Sequence, residues 1–190
     1  MRGNIQEAQL VFTIGHSTHP LETFIQLLRS LAVEMVADVR TVPRSRHNPQ
    51  FNRETLPRDL AAAGLGYVHL PELGGLRRAR PDSSNQGWRS PGFRGFADYM
   101  QMPEFDQGLR HLMELAGERR LAVMCAEAVP WRCHRSLIAD ALLVRGLRVE
   151  HILGPGKTQT HRLTPFARVE GTRLTYPAEE PQVEDANHGK

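Results

Sequence analysis

Five short apolar runs, each closed by a polar turn and separated from the next by residues of helical periodicity, restrict this chain to few architectures. The runs are LVFTI from Leu10 to Ile14, EMVADVRTV over residues 34–42, YVHL over 67–70, LAVMC over 121–125 and VEHIL over 149–153. Short runs of this kind read as buried strands. After the first run, Pro20 and Glu22 suit the first turn of a helix, and Leu21, Phe24, Ile25, Leu28 and Leu31 follow at helical spacing. Further helices are expected from Arg53 to Ala63, Phe93 to Met102, Phe105 to Ala116 and about Cys133 to Arg145, with Gly64, Pro103 and Gly146 as stops. Such alternation predicts an α/β fold: one three-layer domain with a mainly parallel five-stranded sheet and helices on both faces. ARVE and RLTY, on either side of Gly171-Thr172, predict a C-terminal β-hairpin. The expected organisation is a flexible leader over 1–9, the α/β domain over 10–154, an extension with the hairpin over 155–176 and an acidic, disordered tail over 177–190.

A chain of 190 residues fits one well-buried domain. No run approaches the roughly 18 apolar residues of a membrane span, so no membrane partner is expected. The first fifteen residues, MRGNIQEAQLVFTIG, lack a long apolar core with a cleavage site, which points to the cytoplasm. Two cysteines, Cys125 and Cys133, suit free thiols or metal ligands better than a disulfide framework. The net charge is +3, and Lys157 and Lys190 are the only lysines among 24 basic residues. Arginine offers a planar fork of donors suited to phosphate and carboxylate. Arg40, Arg44 and Arg46 cluster, whereas Glu179, Glu180, Glu184 and Asp185 gather in the tail, so the body is more basic than the total. That distribution favours a phosphate-bearing small molecule or a nucleic acid as partner, beside the plainer reading of a solvated arginine-rich surface.

Open α/β sheets bind ligands beyond the carboxyl ends of their strands. His16 and Ser17 close the first run, Asp38 and Arg40 the second, Glu72 follows the third, and Cys125 and Glu127 close the fourth. The helix after the fourth run opens with Cys133, His134 and Arg135 and lacks a good capping side chain, leaving its N–H groups free for an anion. Cys125 is the candidate nucleophile, with Glu127, His134 and Asp38 as acid–base candidates. His16, Ser17, Arg40, Arg46, Glu72, Cys133 and Arg135 are the candidate ligand-binding residues, with Arg40, Arg46 and Arg135 holding the anion. The plainer roles are a buried, inert Cys125 and a structural Asp38–Arg40 pair. The interval from Cys125 to Arg135 holds Pro130 and Trp131 but no glycine, which rules out the short phosphate cradle of cysteine phosphatases. Cys125, Cys133 and His134 are also soft metal donors, although their spacing matches no standard zinc pattern. No cofactor is assigned from the sequence.

The strings TIGHST, DVRTVPRSR, YVHLPELGG, WRSPGFRGFADYM and MCAEAVPWRCHRSLIADAL occur in that order over about residues 11–153. With them the chain resembles the Domain of Unknown Function 488 family. The resemblance implies a compact α/β domain whose motif positions are His16, Ser17, Asp38, Arg40, Pro43, Arg46, Glu72, Cys125, Glu127, Cys133, His134 and Arg135, and it carries no assigned reaction. The expectation is an enzyme, a hydrolase or group transferase, binding a phosphate-bearing ligand at the carboxyl edge of the sheet. The alternatives are a non-enzymatic nucleic-acid-binding module and a structural zinc site.

Overall fold

The computed structural model describes residues 9–178. The leader expected over 1–9 and the tail expected over 177–190 fall outside this span, apart from Gln9, Pro177 and Ala178. Strands β1 (Leu10–Gly15), β2 (Met35–Asp38), β3 (Gly66–His69), β4 (Leu121–Cys125), β5 (Arg148–Gly154) and β6 (Lys157–Thr160) form one sheet in the order β3-β2-β4-β1-β5-β6. The first five run parallel, and β6 returns antiparallel along β5. The sheet therefore has six strands rather than five. The extra edge strand, KTQT, is polar and largely exposed, so it lacks the apolar alternation that marks the others. Strands β7 (Arg168–Glu170) and β8 (Arg173–Thr175) form the expected hairpin.

Helices α1 (Leu21–Arg29) and α2 (Leu56–Ala62) cover one face, and α3 (Pro91–Tyr99), α4 (Pro103–Glu118) and α5 (Arg135–Leu143) the other. Alternation along the strands sorts side chains between these layers. Phe12, Ile14, Val36, Ala122 and Met124 pack with Phe24, Leu28, Leu56 and Leu60, whereas Val11, Ala37, Val123 and Val149 pack with Phe96, Leu109, Leu137 and Ile138. Helix α5 is apolar on most sides and almost wholly buried. It lies between the sheet and the C-terminal segment, whose Leu174 and Tyr176 join the same core.

The second strand is shorter than its sequence run. Asp38 accepts the backbone N–H of Arg40 at 3.0 Å, which turns the chain at the strand end. Pro103 opens α4 rather than merely separating two helices, as its fixed φ and missing N–H allow at a first helical position. The long segment 74–90 forms no helix or strand. The topology positions the site directly. The chain leaves β1 for β2 and β3, returns to insert β4 between β1 and β2, and then crosses to β5 on the other side of β1. The carboxyl ends of β1, β2 and β4 thus lie side by side at the point where the winding reverses.

Candidate active site

Beyond those three strand ends opens a cavity of about 710 Å³, within the usual range of small-molecule sites. Its lining includes His16, Ser17, Arg40, Cys125, Glu127, Cys133 and His134. Seven sequence candidates are therefore brought together from three strand ends and one helix start. Asp38, Arg46, Glu72 and Arg135 do not line it.

Three side chains make the floor. Cys125 ends β4, Cys133 precedes α5, and the His134 ring lies beside both sulfurs. Its Nδ1 is 3.9 Å from Cys125 Sγ and 3.8 Å from Cys133 Sγ. The other ring nitrogen, Nε2, faces the carbonyls of Val39 at 3.2 Å and Leu73 at 3.1 Å. Both partners can only accept, so Nε2 carries a proton, and the ring turns Nδ1 toward the two sulfurs. Phe96 meets the ring edge-on with centroids 4.9 Å apart. Gly75 lies against it so closely that an added Cβ would collide with the imidazole. The ring is held from four directions.

The two sulfurs differ in proton affinity. The Cys133 thiol donates toward Cys125, and together with His134 and the Ala126 amide this holds Cys125 well below the usual thiol range despite its burial. Cys133 keeps the shared proton and is pushed up, by that hydrogen bond first and by desolvation next. Of the two, Cys125 is the one drawn toward the thiolate, the form in which cysteine is a nucleophile.

Arg40 and His16 form one wall. Asp38, fully buried, accepts Arg40 Nε at 2.9 Å and Nη2 at 2.6 Å, and also the Tyr67 hydroxyl at 2.9 Å. Nη2 donates in addition to the Phe51 carbonyl at 2.8 Å, and Nη1 to His16 Nε2 at 3.2 Å. Four of the five guanidinium protons are thereby used, and the remaining Nη1–H has no acceptor among the described residues. His16 Nδ1–H donates to the Ser17 carbonyl at 2.8 Å, and burial lowers its pKa, so the ring stays neutral. It stacks on Phe51 at 4.2 Å. Ser17 has φ +48°, an unusual backbone for a residue with a side chain, and its amide is tied to the Ala126 carbonyl at 2.9 Å. Asp38 thus orients the wall by spending its lone pairs on Arg40 and Tyr67, and does not reach the cavity as an acid or base.

Arg135 has a different place from the anion-holding one expected. Its side chain is buried, and its guanidinium donates to the carbonyls of Glu127 and, at 2.7 Å, of Ala128. It clamps the loop after β4 from beneath. Gly15 permits this approach, since a Cβ there would overlap the Glu127 carbonyl. Glu72 is exposed and contributes only its carbonyl, to Tyr99 and Arg77. Arg46 is exposed on the loop that carries Arg44. The cavity rim also includes Arg44, from the arginine cluster legible in the sequence, and Thr18 and Arg132, which the strand-end pattern does not mark. Arg132 could have been found from its position inside the Cys125–Arg135 motif. Glu127 stays exposed at the mouth.

These features define an α/β domain with a buried Cys-Cys-His floor and an arginine wall at the switch point of its sheet. The chain belongs to the family described as Domain of unknown function DUF488, whose model matches residues 20–142. The matched span holds Arg40, Cys125, Cys133, His134 and Arg135, and His16 and Ser17 precede it. No curated protein and no solved structure matches the chain. No helix among the described residues is long and apolar enough to cross a membrane.

Proposed function

We propose that the chain is a hydrolase or group transferase acting on a phosphate-bearing ligand, with Cys125 as nucleophile. The observation that carries this reading is the pairing of Cys125 with Nδ1 of His134 on the floor of a cavity walled by arginine. A cysteine drawn toward the thiolate beside an imidazole whose far nitrogen is fixed by acceptors is an arrangement suited to nucleophilic catalysis. Arg40, through its free Nη1–H, would hold the anion with Arg44 and Arg132, and Arg46 would extend the basic rim. Cys125 Sγ would attack the electrophilic centre and expel the leaving group, which takes a proton from Glu127 or the His134–Cys133 pair. Water or an acceptor hydroxyl would then attack the intermediate, return its proton to that same donor, release the group and regenerate the thiolate.

Activated phosphate monoesters and diesters carrying a nitrophenyl leaving group provide the test. The wild-type chain should release nitrophenol and form a mass adduct on Cys125, and Cys125→Ser should do neither. Equal rates from both proteins would dispose of the nucleophile. The exposed Arg44, Arg46 and Arg132 have no carboxylate partner among the described residues, which favours a second reading as a nucleic-acid binder. That reading expects oligonucleotide affinity falling steeply with salt and no turnover.

A further inference from the structure

The same floor has the donor geometry of a metal centre. A tetrahedral zinc-class ion bonds thiolate sulfur at about 2.3 Å and imidazole nitrogen at about 2.05 Å, so sulfur and nitrogen ligands stand about 3.6 Å apart and two sulfurs about 3.8 Å. Here the nitrogen–sulfur separations are 3.9 and 3.8 Å, and all three donor atoms lie within 4.8 Å of one another. Small rotations of the two cysteine side chains would bring them onto one ion. The imidazole is already oriented as a ligand, because the Val39 and Leu73 carbonyls take the Nε2 proton and aim Nδ1 at the sulfurs. Backbone carbonyls serve this outer-shell role for metal-bound histidines in general. Three donors on a cavity floor leave the fourth position facing the opening, unlike a closed structural site.

We propose that Cys125, Cys133 and His134 form an exchangeable site for one soft divalent cation, open to the cavity, and that filling it silences the Cys125 nucleophile. The site itself stands on the donor geometry; the silencing rests on the reading of Cys125 given above. Binding balances simply. Both cysteines bind as thiolates and Nδ1 gives its lone pair, any proton held on the sulfurs or on Nδ1 leaving to solvent, and a dication with two thiolates leaves the floor neutral.

The full chain, prepared without an affinity tag and stripped with a chelator, is titrated with zinc against a chromophoric indicator and in parallel with cobalt(II). One equivalent of each should bind, and cobalt should show an intense thiolate-to-metal charge-transfer band. Cys133→Ser and His134→Ala should each weaken zinc about 100-fold or more. The cobalt spectrum of the unmutated protein decides the matter even if a variant misfolds. Absence of stoichiometric binding, or cobalt bound without that band, would overturn the site. Iodoacetamide separates the two ideas: the stripped protein should alkylate at Cys125 and zinc should block it. Rapid alkylation that zinc leaves unchanged removes the metal proposal and keeps the nucleophile. Zinc binding to a protein whose stripped Cys125 is inert keeps the site and removes the silencing.

Discussion

Replacing Asp38 by alanine tests whether this carboxylate is scaffold or catalyst. Its side chain is fully buried, and that of Arg40 is 7% exposed. The carboxylate accepts two guanidinium bonds, the Arg40 amide and the Tyr67 hydroxyl. Its removal strands a buried guanidinium, and breaking such a pair from one side costs about 3–5 kcal/mol. A domain of this size loses roughly 2–4 °C of melting temperature per kcal/mol, so the fall should be about 6–20 °C. Removing both charges together should cost less, since an apolar replacement of a buried pair is often near neutral. The assay is a double-mutant cycle of Asp38→Ala, Arg40→Met and the double variant, followed by urea denaturation and circular dichroism. The double variant should recover about 2 kcal/mol or more relative to the sum of the singles. Strictly additive losses, or an Asp38→Ala protein of unchanged stability, would refute the scaffold role.

Two other expectations follow from buried polar groups. Arg135→Ala should lower stability by about 2–4 kcal/mol, because the Glu127 and Ala128 carbonyls lose charged donors and their loop loses its clamp; a stable variant that merely loses anion affinity would return Arg135 to the ligand. His151 lies in a buried chain in which the Thr13 hydroxyl donates to its Nδ1 (2.7 Å), its Nε2–H donates to His161 Nδ1 (3.0 Å), and His161 donates to Asp140 (2.8 Å). Burial first, then the neighbouring His161 and the Arg135 charge, lowers His151 to about 4, so the unfolded chain takes up its proton from about pH 6.5 downward while the folded chain resists. Stability should be complete above pH 6.5 and decline as pH falls toward 4, by on the order of 3 kcal/mol at full effect. Denaturation of wild type and His151→Gln at pH 7.5 and 5 checks this, and equal pH slopes would contradict it.

The parts of the fold legible in the sequence were those whose burial leaves an apolar trace. β4 and β1 are covered on both faces and read as uninterrupted runs, whereas β6 is polar and largely exposed and left no such mark. His16, Arg40, Cys125, Cys133 and His134 were legible as a group because each closes a strand or opens a helix at the same sheet edge. The role of Arg135 was not, since a guanidinium at a helix start looks like an anion holder until the preceding loop is seen to curl over it. Asp38 was equally ambiguous: its residue type suits acid–base work, and only the four donors around it mark it as scaffold. The His151–His161–Asp140 chain escaped because His151 sits inside an apolar strand run and its partners lie 10 and 11 residues further along or back in α5.

The most direct test of the proposed chemistry is the pH dependence of Cys125 alkylation by iodoacetamide, followed by peptide mass spectrometry in the metal-free protein. Cys125 should react as a thiolate at pH values below the ordinary thiol range and ahead of Cys133, and His134→Ala should shift its profile upward. An ordinary thiol profile near pH 8.5 for Cys125, or equal reactivity of the two cysteines, would contradict a nucleophile at this site.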